Sequence, residues 1–199
     1  MVGKLAGPAL VSDVDDESPA ANLIADAQLA ATSARDRGAA DISFINATGV
    51  RQNLVPSVTG DVSYGQIFAI QPFGNNLVVK TLTSAQLKSV LEQQFGVQDG
   101  VTKVKSLLVP SANFRFGYDL DRAEGQRILW MKLGGEPIDP QARYRVTVNN
   151  FLSSGGDGFS VLAQGSDAFD AGLDLDALEA WLAKGQPVPA IGRTVGDFR

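Results

Sequence analysis

The chain contains no histidine and no cysteine. Lack of histidine removes the commonest general base near neutral pH and the commonest transition-metal ligand. Ser-His-Asp hydrolysis, zinc hydrolysis and a His-rich dinuclear phosphoesterase centre therefore cannot be assembled from these 199 residues alone. Lack of cysteine excludes disulfides and thiolate metal sites, and it fits an oxidising compartment as well as the cytosol. Basic charge is short too: 17 Lys and Arg stand against 22 Asp and Glu, a net charge of −5 with no basic stripe. A polymeric nucleic acid is thus not an expected partner. No apolar run approaches the ~20 residues of a membrane span, and no signal-peptide pattern opens the chain. Any chemistry done by this chain alone falls to carboxylates, Lys, Tyr or Ser.

What is present describes an ordinary water-soluble composition, 44% hydrophobic and 20% charged. That is enough chain to bury a sizeable core. Residues 1–16 read as a linker or an added start, and 17–199 as one domain. From Ser18, the run PAANLIADAQLAATSARD sets Leu23, Ile24, Ala27 and Ala31 on one helical face, with Pro19 at a position that proline tolerates. DISFIN (41–46) reads as a short buried strand and VSYGQIFAI as a short helix capped by Ser63. NNLVVKTLT reads as a strand. SAQLKSVLEQQF reads as an amphipathic helix presenting Leu87, Val90, Leu91 and Phe95, capped by Thr83 or Ser84. FRFGYDLD, QRILWMKL and RYRVTVN are further strands, and Gly134-Gly135 is a hairpin signal. A last helix carries Leu175, Leu178, Trp181 and Leu182, with Gly185 just past its end and a turn-rich tail from Pro187 to Arg199. Interleaved helices and strands joined by tight turns favour an α+β fold with a mixed sheet.

Three segments share one form, in which an element ends and a tight Gly turn presents a polar or aromatic residue: INATGVR (45–51), QPFGN (71–75) and SSGGDGF (153–159). Glycines such as Gly74 and Gly156 let a backbone approach a ligand or adopt positive φ. Asn46 offers a donor and an acceptor, and Arg51 a fork for carboxylate or phosphate. Phe73 and Phe159 follow such loops, and two rings closing on a flat heterocycle would contribute about 1–3 kcal/mol per stacked base. The ordinary burial tendency of phenylalanine reads each ring as core instead. The GGDGF loop has the wrong spacing for a dinucleotide fingerprint and no Lys for a phosphate loop.

In combination, ESPAANLIADA, INATGVR, YGQIFAIQPFGNNLV and YRVTVNNFLSSGGDGF resemble the C-terminal domain of the 5'-nucleotidase family, which includes UDP-sugar hydrolases and 2',3'-cyclic nucleotide phosphodiesterases. The resemblance runs from about Glu17 to about Leu182. It implies an α+β substrate domain, catalysis by an N-terminal metallophosphoesterase domain holding two divalent metals, and no cofactor in this chain. It implies a nucleoside or nucleotide ligand and a periplasmic, extracellular or cell-surface location. It carries the two base-clamping rings onto Phe73 and Phe159, the base- or ribose-side asparagine onto Asn46 and the phosphate-side arginine onto Arg51. Asp157 matches the acid of the loop, in an organising role. Asp167 is the nearest match to a ribose-binding acid. Ala47 and Thr48 stand where the family favours glycines. These departures leave open an alternative, an interaction or scaffold module in which ligand binding has decayed.

Overall fold

The computed structural model describes residues 1–13 and 15–196. In chain order its elements are β1 (Gly3–Lys4), α1 (Pro19–Thr32), β2 (Ile42–Asn46), β3 (Asp61–Val62), α2 (Tyr64–Ile70), β4 (Asn76–Thr83) and α3 (Ser84–Glu92). There follow β5 (Phe95–Gln98), β6 (Val101–Val104), β7 (Leu108–Pro110), β8 (Phe114–Tyr118), β9 (Ile128–Leu133), β10 (Glu136–Pro137) and β11 (Arg143–Asn149). The last elements are α4 (Asn150–Ser153), β12 (Ser166–Leu173), α5 (Asp174–Leu182) and β13 (Thr194–Gly196).

Strands run in the order β12-β4-β11-β2-β7 in a five-stranded sheet, in which β11 and β2 are parallel and the remaining pairs antiparallel. A second sheet, β10-β9-β8-β13, is also mixed, because β13 joins β8 in parallel. The fold is therefore α+β with mixed sheets. Helix α1 lies across β2 and against α5, burying Leu23, Ile24 and Ala27. Its start is fixed as the sequence indicates: Ser18 Oγ accepts from Ala21 N at 3.1 Å, and Pro19 takes the first turn.

Local rules also place the shorter elements. Ser63 and Gln66 form a capping box at α2, and Thr83 with Gln86 forms another at α3. Thr83 is thus the cap of α3, whereas Ser84 Oγ donates to the carbonyls of Asp139 and Ala142. Helix α3 stops at Glu92, short of Phe95, which opens a β5–β6 hairpin. The hairpin turns at Asp99 and Gly100, both at positive φ (52° and 77°), the backbone that an Asp-Gly pair supports.

The first residues do not hang free. Strand β1 pairs with β3, Leu5 bridges to Gln186, Ala9 bridges to Leu54, and both Leu5 and Ala9 are buried. Val14 within that segment, and the last three residues of the tail, lie outside the described residues. Part of the turn-rich tail is a strand, β13.

Candidate functional site

Parallel strands β2 and β11 end side by side in asparagines, Asn46 and Asn149, and β4 begins beside them at Asn76. The three Gly-turn segments consequently converge at one end of the large sheet. They enclose a cleft of about 250 Å³ that takes in Asn46, Arg51, Phe73, Asn149, Phe151 and Asp157. A bond from Arg51 N to Ile70 O (3.0 Å) ties the first segment to the end of α2, just ahead of the second.

At the floor, Asn46 is buried, and its Nδ2 donates to Asp157 Oδ2 and to Thr48 Oγ1, both at 2.7 Å. Thr48 Oγ1 donates to the same carboxylate oxygen. Asp157 therefore organises the loops through side chains of the first segment, across 111 positions of sequence, rather than through its own backbone. Its Oδ1 has no protein partner among the described residues and lies with the carboxylate in the cleft. Thr48, one of the departures from the family glycines, supplies a hydroxyl that a glycine lacks. Asn149 caps α4 by accepting from Leu152 N at 2.8 Å, and its Nδ2 reaches Asn46 Oδ1 at 3.5 Å.

Aromatic walls come from Phe73 (47% exposed) and Phe151 (48%). Phe159 does not face the cleft: it is 1% exposed and belongs to the hydrophobic core. The physical reason is the path of the glycine loop. Gly155, Asp157 and Gly158 all take positive φ (92°, 53° and 84°), which reverses the chain and turns Phe159 inward. Phe151 instead sits on one-turn helix α4, whose buried residues are Leu152 and Ser153, so its ring is left on the open side. Gly156 is needed for closeness: a Cβ there would lie 2.5 Å from the Phe151 ring. Gly74, at φ 60° with open space around it, serves the turn after Phe73.

Electrostatics divide the cleft. The Arg51 guanidinium carbon stands 5.0 Å from the Phe73 ring centroid, a cation–π contact, while Asp157 carries the negative charge at the floor. Lys80 stabilises the loop from below, donating to Ser153 O (2.9 Å) and Leu162 O (3.0 Å), and burial lowers its pKa from the usual value. Behind Phe73, buried Gln71 donates from Nε2 to Asp174 Oδ2 at 3.4 Å, and Asp174 N donates to Asn75 O at 2.9 Å. Burial pushes the Asp174 carboxyl up to about 6.

Of the residues expected from the sequence, Asn46, Arg51, Phe73 and Asp157 come together, with Gly74 and Gly156 shaping the two walls. Phe159 and Asp167 do not join them. Asp167 lies on β12 at φ 52°, where its carbonyl accepts from Arg145 Nη1 at 2.7 Å. Phe151 and Asn149 are the residues that sequence reasoning missed.

An α+β domain with an open cleft of two aromatic rings, amides, one cation and one carboxylate is the class these features define. The chain has no His or Cys, so it supplies no imidazole or thiolate ligand to a metal. The chain belongs to the family described as "5'-nucleotidase, C-terminal domain", whose model matches residues 2–164. It is 33% identical over 162 residues to the Trifunctional nucleotide phosphoesterase protein YfkN of Bacillus subtilis, covering 78% of this chain and 10% of that protein. It is 32% identical over 152 residues to a cell wall protein of Listeria monocytogenes, covering 73% of this chain and 18% of that one. Among solved structures, the 5'-nucleotidase precursor from Thermus thermophilus superposes with a TM-score of 0.79 at 30% identity, covering 98% of this chain and 39% of that one. The chain thus spans well under half the length of these relatives.

Proposed function

We propose that this domain is the nucleoside- or nucleotide-binding part of a 5'-nucleotidase-type phosphohydrolase, with the base held between Phe73 and Phe151. The observation that carries this reading is the pair of half-exposed rings on one cleft whose floor is lined by amides and a carboxylate. Rings of this kind suit any flat heterocycle, while Asn46, Asn149 and Asp157 Oδ1 offer hydrogen bonds to base edges and ribose hydroxyls. Arg51 suits the phosphate side. Hydrolysis itself is assigned to a separate metallophosphoesterase domain with two divalent ions, a reading supported by the lack of any histidine in this chain. Similarity to a cell wall protein supports a location outside the cytoplasm. The scaffold alternative calls for no cleft between the three glycine loops, and an open one favours ligand binding.

Titrating the chain with adenosine and AMP, followed by amide NMR shifts or calorimetry, tests the proposal. Tryptophan emission is a poor reporter, since neither Trp130 nor Trp181 lines the cleft. Saturable shifts in residues 46–51, 71–75 and 149–158 are expected. No response at millimolar ligand from folded protein overturns the proposal.

A further inference from the structure

A second cleft, of about 340 Å³, opens where α3, the start of β5 and the segment before β9 meet. Lys88, Lys105 and Arg127 line it, together with Glu92, Glu124 and Phe95. Arg127 is 7% exposed, yet its side chain has no hydrogen-bond or ion-pair partner among the described residues, and its Nε is fully buried. Its guanidinium carbon lies 6.0 Å from the Phe95 ring centroid, a cation–π contact. Arginine cannot shed its proton to escape burial, so a charge in this position calls for an anion. Lys88 and Lys105 add two cations that make no ion pair among the described residues.

Glu92 also borders the cleft. Its Oε1 accepts from Ile128 N at 2.7 Å, next to Arg127, and its Oε2 is enclosed by protein, out of reach of a ligand in the cleft. A tetrahedral oxyanion offers several oxygens to a guanidinium and two ammonium groups at once. We propose that this cleft binds a phosphate group, free or as a small monoester, with Arg127, Lys88 and Lys105 holding its oxygens. Gly158 lines this cleft, and its neighbour Asp157 lines the first, so the two sites share one loop.

The site stands apart from the nucleoside reading and is tested without it. Inorganic phosphate, glycerol phosphate and chloride are titrated at constant ionic strength, with thermal melting and amide shifts near Arg127 and Gly158 as readouts. Phosphate should raise the melting temperature and shift these amides saturably, with chloride at least tenfold weaker. A stronger response to glycerol phosphate than to phosphate assigns the site to monoesters, and the reverse assigns it to the free ion. Arg127→Met should weaken the response at least tenfold, while Arg51→Ala leaves it intact and adenosine binding is unaffected by Arg127→Met. A response to chloride equal to that to phosphate, or one that survives Arg127→Met, overturns the proposal.

Discussion

Phe151 and Phe159 stand eight residues apart in one glycine loop, and their environments are opposite: one ring is half exposed on the cleft and the other is core. Phe159→Ala is expected to cost about 3–5 kcal/mol of stability, as other buried phenylalanines do, measured by urea unfolding. Phe151→Ala should change stability little but weaken adenosine binding about tenfold or more, as a stacking loss of ~1–3 kcal/mol dictates. Equal stability losses for both would contradict the burial described. Asn46, Arg51 and Phe73 stand at or near Gly turns, but spacing alone reads them as a turn former, a surface charge and a core ring, and the resemblance to the 5'-nucleotidase family is what singles them out. Phe151 was not legible, because the Phe-Leu pair after Asn149 reads as continuous apolar chain. Only the cap at Asn149, which starts a one-turn helix, decides that Leu152 is buried and Phe151 is not. Asp174 gives a pH prediction at the same scale. Its folded carboxyl titrates near 6, above the usual ~3.9 of an unfolded aspartate, so the folded state holds the extra proton. Its contribution is fully present below about pH 4 and is lost as pH rises through 6. Asp174→Asn removes that loss, so the variant should gain stability relative to the parent between pH 4 and 7. A difference that stays flat with pH counts against a raised Asp174 pKa.

Among the elements, the long amphipathic helices and capped starts were readable, since 3.6-residue periodicity and side-chain caps act locally. The sequence left Thr83 and Ser84 as equal candidates to cap α3, and tertiary structure separates them. Thr83→Ala should cost about 1 kcal/mol through the lost capping box, and asparagine at the same position should restore most of it. Ser84→Asn should not rescue Ser84→Ala, because the Ser84 hydroxyl serves the carbonyls of Asp139 and Ala142. Chemical denaturation of the four variants checks the distinction. Strand β12 was not legible because nearly all its side chains are exposed, which leaves no alternation to read. Spacing alone carries helix α3 on to Phe95, which falls on its apolar face, although the Asp99-Gly100 turn offers a hairpin signal four residues after β5 begins.

Across the whole molecule, early and late residues are joined by a buried polar network that spacing in the sequence could not disclose. Arg193, itself buried, makes a two-pronged pair with Asp26 (2.8 and 2.7 Å) and donates to Pro110 O at 2.9 Å. One oxygen of Glu17 accepts from the backbone N–H groups of Gly192, Arg193 and Thr194. Arg193→Met should therefore cost about 3–5 kcal/mol, because it leaves the mostly buried Asp26 carboxylate without its cation, with the Ala112 N–H still donating to it. Asp26→Asn combined with Arg193→Met should recover part of that loss, and a double-mutant cycle from urea midpoints measures the coupling. The closure of Glu17 on residues 192–194 has a consequence for how the protein is made. A chain still emerging from the ribosome holds both of these carboxylates long before their partners have been synthesised, so the first helix cannot reach its final packing until residues 192–194 have emerged as well. Helix α1 is thus made early and finished late.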